Sequence, residues 1–426
     1  MNQTSADLFE PHELRAAALA EIHARPFSHV DTPGRILHFV FMSDAAGGAR
    51  AAAALADMAR ARGLPAPGPE AKHVELDLAP ARLSFERHGE FLTYTWAFVG
   101  SDKPFQPAAG DLLSAMRLVP QPGPLLAAVD LHILHDTADV ALDDFFAGLA
   151  IAAADVDDGR ARIASDFTAD AFGFVRILIA DRTLSPASAG ALAQRLIEIE
   201  TYRMLALLGL PMAQRLVPVV RRIESELPAL LLSMKNESGL EANRALLEKL
   251  TALATELETG SAESHFRFGA TRAYAELVRA RLDAIKEKRI PHHSTFSSFL
   301  ARRLNPAIRT CANIEERQNE LGRKIARIAE LLRTRVDVEL ESQNADQIRQ
   351  MAERVRLQLR LQQTVEGLSV AAITYYISSV LHLLFEGMHG AGFHVNPAVA
   401  TGLSVPFVLA LVGYTVWRIR HAHKDE

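Results

Sequence analysis

Cysteine is almost absent: Cys311 stands alone in 426 residues, so neither an intramolecular disulfide nor a multi-cysteine metal cage can form. That suits a reducing compartment, and an isolated cysteine of this kind reads as a small buried hydrophobe. An excess of either charge is missing too, since 46 Lys and Arg face 51 Asp and Glu for a formal charge of −5. Without surplus cations to displace phosphate counterions, the composition argues against a general nucleic-acid binder. The opening residues, MNQTSADLFEPHELR, lack both a basic start and an apolar core, which predicts no secretory signal and a cytosolic N-terminal part.

Catalytic signatures are also wanting. There is no G-x-x-x-x-G-K-[ST], G-x-G-x-x-G, H-E-x-x-H, G-x-S-x-G or C-x-x-C, which removes the motif basis for nucleotide, zinc-protease, hydrolase and thiol-redox chemistry. The pairs Asp143/Asp144 and Asp157/Asp158 read as an exposed helix face and a turn. His292 and His293 beside Pro291, and His421 and His423 in the tail, have no ligand set at metal spacing, and His23 caps or packs a helix. The sequence therefore predicts no enzyme. It calls for no cofactor, and a divalent cation enters only as a transported or regulatory ion.

Long hydrophobic runs, by contrast, are present. Residues 367–385 and 398–417 are each about 20 residues long and free of Lys, Arg, Asp and Glu, which is enough helix to cross about 30 Å of hydrocarbon. RVRLQLRLQQ precedes the first run and RIRHAHK follows the second, whereas the connecting EGMHGAGFHVNP carries no Lys or Arg. The positive-inside rule then predicts a hairpin in a bacterial inner (plasma) membrane with both termini cytoplasmic, and with Tyr414 and Trp417 at the inner interface.

Periodicity divides the rest. Residues 1–182 read as a cytosolic α/β (or α+β) domain, with short β-rich runs such as ILHFVFM, HVELDL, FLTYTWAF and FGFVRILIA between Ala-rich helical stretches at 49–63 and 139–150. ADVDDGRAR predicts a hairpin turning at Asp157, Asp158 and Gly159. Residues 183–365 read as a helical stalk that opens with a Ser185 cap and Pro186 and has no further strand signal. Leu321, Ile325, Ile328 and Leu332, then Ile348, Met351, Val355 and Leu359, follow the 3-4 spacing of packed or coiled helices, which predicts a homo-oligomer. The polar stretch at 341–347 is the expected break. Residues 366–418 are the transmembrane hairpin with an external loop at 386–397, and 419–426 form a basic cytosolic tail.

The first span carries a polar stripe. Thr374, Ser378, His382 and Glu386 recur every four residues, with Gln363 and Glu366 near its cytosolic start. Ionisable groups at membrane depth are costly unless they meet water, ions or partners, so the stripe is a candidate pore lining. The alternative is that Thr374 and Ser378 bind helices together while His382 and Glu386 lie shallow. At the outer end Glu386, His389 and His394 offer oxygen and imidazole ligands to a cation. In the second span, Ala398, Gly402, Pro406 and Ala410 form a small-residue row expected to pack on the first span.

EIHARPF (21–27), DRTLSPASAGALAQRLIEIETYRMLALLGLP (181–211) and LRLQQTVEGLSVAAITYY (359–376) resemble a bacterial family known only as domain of unknown function thirty-four twenty-two. That resemblance implies a membrane-tethered protein and carries over no catalytic residue. More distantly, the order of cytosolic domain, long helices, two spans and short loop is similar to the CorA magnesium channels. In that family Gly-Met-Asn closes the first span; here Gly387 and Met388 match, and His389 replaces the asparagine. The CorA resemblance implies pore-mouth roles for Gly387, Met388, His389 and His394. Two readings follow: a homo-oligomeric CorA-like cation channel, or a membrane-anchored scaffold without transport.

Overall fold

The structure, a computed structural model, describes residues 12–15, 19, 29–69, 71–117, 119–136, 140–146, 150–394 and 396–422. The segment EIHARPF with His23, and His423 in the tail, lie outside the described residues.

Alternating hydrophobicity is realised as strands. In β2 (His73–Leu78), Val74 and Leu76 are buried while Glu75 and Asp77 are exposed, as a half-buried strand requires. Its neighbours are β3 (Ala81–Arg87), β4 (Phe91–Val99) and β1 (Gly34–Met42), followed by β5 (Leu125–His135) and β8 (Val175–Asp181). Then come β7 (Ala161–Ser165), β6 (Ala152–Val156) and β9 (Lys288–Arg289), in the sheet order β2-β3-β4-β1-β5-β8-β7-β6-β9. Only β5 and β8 run parallel; every other neighbouring pair is antiparallel, so this is a mixed sheet followed by long helices. The expected hairpin joins β6 to β7, and Asp157, Asp158 and Gly159 take φ of 51°, 58° and 87°, a left-handed path that Asp and Gly tolerate.

One face of the sheet buries Leu37, Leu83, Phe85, Leu92, Tyr94 and Trp96 against Leu55 and Ala59 of α1 (Ala45–Ala61). A second helix on this side of the chain is α2 (Ala109–Met116). The opposite face is divided. Across β5, β8 and β7 it is aliphatic, with Leu131, Ile133, Ile163, Ile177 and Ile179 in one core with Leu192, Leu196 and Ile199 of α3 (Pro186–Leu207). Across β1 to β4 it is mixed: Ile36, Val40 and Phe91 join apolar clusters, while His38, Glu86, Thr93 and Thr95 make a polar patch that floors a cleft.

Ser185 caps α3, accepting from Ser188 N at 3.2 Å, with Pro186 in the first turn as its spacing predicts. Next come α4 (Gly209–Asn236), α5 (Leu240–Ala284), α6 (Phe296–Gly390) and α7 (Pro397–Ala422). Gly209 is required where it stands: a Cβ there would collide with Thr271 Oγ1 and lie 3.1 Å from Cys311 Sγ. Cys311 is buried, and burial pushes its thiol up to about 11, the behaviour of an inert core residue.

Three expectations are corrected. Of the helix predicted over 139–150, the described residues form only a 3-10 turn at Leu142–Asp144. β9 is a strand in the supposedly all-helical part, and it exists because Arg289 and Lys288 pair with Ala154 and Asp155 at an otherwise open sheet edge. The break expected at 341–347 does not occur; those residues lack Gly and Pro, and α6 passes through them.

The chain divides into two compact units, Met1–Ser233 with Glu248–Ile328, and Met234–Leu247 with Ala329–Glu426. Leu321, Ile325 and Ile328 are buried within the first unit. In the second, Leu332 is fully buried, Asn243 Nδ2 donates to Glu339 Oε2 at 3.0 Å, and Arg335 Nη2 donates to Glu237 O at 2.9 Å. The remaining seam is different: Ile348 and Met351 are each 66% exposed, and Val355 and Leu359 each 54%.

Candidate functional site

Among the described residues three helical stretches are long and apolar enough to cross a membrane: Pro186–Asn236, Phe296–Gly390 and Pro397–Arg418. In the first, the apolar window is 33% buried, and α3 within it is covered by the sheet core. The windows in the other two are 6% and 11% buried, so their apolar surface faces outward. Leu383, Leu384, Leu403, Phe407 and Leu411 are among the side chains left exposed.

Within this hairpin two members of the polar stripe, Thr374 and His382, have hydrogen-bond partners. Thr374 is buried and donates to Val370 O at 2.7 Å, and Ser378 Oγ is buried with no hydrogen-bond partner among the described residues. His382 Nδ1 lies 3.0 Å from Thr401 Oγ1. Because Thr401 gives its one hydroxyl proton to Pro397 O at 2.8 Å, its oxygen accepts from an Nδ1–H on His382. Among the described side chains of α7, Val408 and Val412 are buried, and they continue the row of Thr401 and Ser404 at 3-4-4 spacing. That row meets the first span, so the expectation that Ala398, Gly402, Pro406 and Ala410 do so is corrected. The His382–Thr401 bond sets the rotation of α7 and turns the small-residue row outward, where all four positions are exposed.

At the end of α6, Glu386, Gly387, Met388, His389 and His394 are exposed. Gly392, at φ 95°, closes the helix: its N–H donates to His389 O at 3.1 Å, and Phe393 N–H donates to Met388 O at 3.2 Å, a Schellman pair. A Cβ on Gly387 would meet nothing within 4 Å. Among the described residues no group of three His, Cys, Asp or Glu is placed to hold a metal ion, so Glu386, His389 and His394 do not form a closed ligand set within one chain.

Sequence reading singled out none of the residues in the second site. Register places His73 opposite Glu86, Glu86 opposite Thr93, and Thr95 opposite His38, which lines these side chains up on one face of β2, β3, β4 and β1. Gln194, Arg195, Glu198 and Thr201 of α3 form the facing wall, with Arg281 of α5 at one end. The space between measures about 450 Å³ in its larger lobe.

The electrostatics are ordered. His38 is buried, with Nδ1 2.8 Å from Thr95 Oγ1 and Nε2 3.2 Å from Thr201 Oγ1, and burial lowers its pKa to about 4, so it is neutral. Glu86 sits 3.6 Å from His73 Nδ1 and 3.4 Å from His88 Nε2. Burial would raise its pKa, but the two imidazoles outweigh that and hold the carboxyl far below the usual range. The Glu86 carboxylate in turn raises His73. Glu198 pairs with Arg281 and accepts from Gln194 at 3.1 Å. Arg195 has no acidic partner among the described residues. The signal for this site was present as period-2 polarity in HVELDL and in the run from Ser84 to Thr95. Only the pairing of four separate strands, which no local pattern encodes, brings those residues together.

The family profile described as "Protein of unknown function (DUF3422)" matches residues 10–423, and the chain belongs to that family. No curated protein and no solved structure matches the chain.

Proposed function

We propose that this chain is an integral protein of the bacterial inner membrane, with both termini cytoplasmic, in which the α6–α7 hairpin tethers a self-associating cytosolic scaffold. The observation that carries this reading is the His382–Thr401 bond together with the burial of Thr374: Thr374 and His382 of the first span are used inside one chain, and apolar side chains are left facing the surroundings. A hairpin built this way is compatible with lipid on its outer surface. The flanking Arg residues at 354, 356 and 360, against a loop without Lys or Arg, support cytoplasmic ends. The exposed row Ile348, Met351, Val355 and Leu359 supports a second copy of the chain as partner, since so much apolar surface at coiled-coil spacing gains from burial. Nucleic acid is not proposed as a partner.

A second reading, a homo-oligomeric CorA-like cation channel, is favoured by one observation. Glu386, His389 and His394 stay exposed in a single chain and would form a polar ring if copies met around an axis. Cation flux into proteoliposomes separates the two. On the tether reading the purified full chain gives no flux above empty liposomes under any monovalent or divalent gradient, and a reporter after Glu426 is active only on the cytoplasmic side. Flux that falls when Glu386 is replaced by Lys would establish the channel instead, because an attractive ring would become a repulsive one.

A further inference from the structure

The polar cleft under α3 has features that a structural role does not explain. Filling the β1–β4 half of the sheet with aliphatics, as on the β5–β8 half, would stabilise the fold more than His38, Glu86, Thr93 and Thr95 do, because buried polar groups gain little even when satisfied. A lobe of about 450 Å³ lies within the usual size range of small-molecule sites, roughly 300–1,000 Å³.

Charge on the walls narrows the occupant. Glu86 is matched by His73 and His88, and Glu198 by Arg281, so the two acids are already paired. What remains is one guanidinium, on the partly buried Arg195, which has no ion-pair partner among the described residues. Its planar fork accepts a carboxylate through two parallel hydrogen bonds. A doubly charged phosphate fits less well, since the single unpaired guanidinium balances only one of its two charges. Phe91, Ile197 and Ala284 supply an apolar strip beside these groups, and Phe91 is held in place by stacking on His88 with ring centroids 4.1 Å apart.

We propose that the cleft between α3 and the polar patch of β1 to β4 binds a small organic monocarboxylate. Arg195 takes the carboxylate, and the apolar body of the ligand lies on Phe91, Ile197 and Ala284. The site is independent of whether the hairpin tethers or conducts.

Titrating the full-length chain in lipid nanodiscs with benzoate, phenylacetate and octanoate, and with benzyl alcohol and inorganic phosphate beside them, tests this by calorimetry and thermal melting. At least one carboxylate should bind and raise the melting temperature at about 10 mM, with the neutral alcohol and phosphate at least about tenfold weaker. Arg195→Gln should abolish that shift while melting like the wild type without ligand. Should Arg195→Gln prove unstable, Arg195→Lys keeps the charge, loses the fork and should weaken binding by about tenfold. The proposal is overturned if none of the three carboxylates binds, if phosphate binds as tightly as the best of them, or if affinity is unchanged in the Arg195 variants.

Discussion

His382 of α6 donates its Nδ1 proton to Thr401 of α7 across 3.0 Å, a side-chain hydrogen bond between the two helices of the hairpin. Bonds of this kind between membrane helices are worth roughly 0.5–2 kcal/mol. A double-mutant cycle with His382→Leu and Thr401→Val should therefore show a coupling of about 1 kcal/mol when the hairpin is unfolded reversibly in detergent or bicelles. Strictly additive costs would mean that the two side chains do not hold the helices together.

The two apolar rows of α6 should respond in opposite ways. Leu332 is fully buried in its own chain, so Leu332→Ala removes packed methyls and should cost about 2–5 kcal/mol of folding stability. Ile348 and Val355 are mostly exposed, so Ile348→Asp with Val355→Asp should leave the thermal midpoint of the chain nearly unchanged and lower the mass measured by light scattering in mild detergent. An unchanged mass would place the second row against lipid or solvent rather than a second copy.

Local patterns made much of this architecture legible. Alternation in HVELDL, the Asp-Asp-Gly turn, the Ser185 cap and the two charge-free runs each correspond to an element of the structure, because each depends only on neighbours in sequence. What escaped depends on distant pairing. The parallel contact of β5 with β8 and the added β9 join residues far apart in the chain, and the cleft needs four strands in register before His38, His73 and Glu86 share a face. The outward turn of Gly402 was equally hidden, since the sequence of α7 offers both a small-residue row and a Thr401–Val412 row, and only the partner His382 decides between them.

Acid should act on the sheet domain through His38. The unfolded imidazole takes up a proton near pH 6.5, whereas the folded one resists protonation down to about 4. Stability is therefore lost as the pH falls through that interval, by at most roughly 1.4 kcal/mol per pH unit. His73 works in the other direction, because its raised pKa adds stability as the pH drops and so offsets part of the loss. Replacing His38 with Gln removes only the destabilising partner. The variant should lose less melting temperature between about pH 7 and pH 5 than the wild type does, and equal losses would assign the acid sensitivity elsewhere.

A buried ion pair lies on the opposite face of the sheet. Arg35 reaches Asp130 with Nε at 2.9 Å from Oδ1 and Nη2 at 2.7 Å from Oδ2, and both side chains are almost wholly buried. Arg35 Nη1 also donates to Pro107 O, which pins the segment between β4 and α2 to the sheet. Two charges taken out of water are neutralised chiefly by each other, so removing one leaves the other without its counter-charge. Asp130→Asn should cost about 3–5 kcal/mol in chemical denaturation, because it strands the guanidinium in the interior. Arg35→Met with Asp130→Leu should cost much less than Asp130→Asn alone, since no charge remains to be desolvated, although Pro107 O then loses its donor. The contrast between the two variants is the measurement that matters. If the double apolar variant were as destabilised as the single one, the pair would owe its importance to the Arg35 bond to Pro107 O rather than to mutual neutralisation.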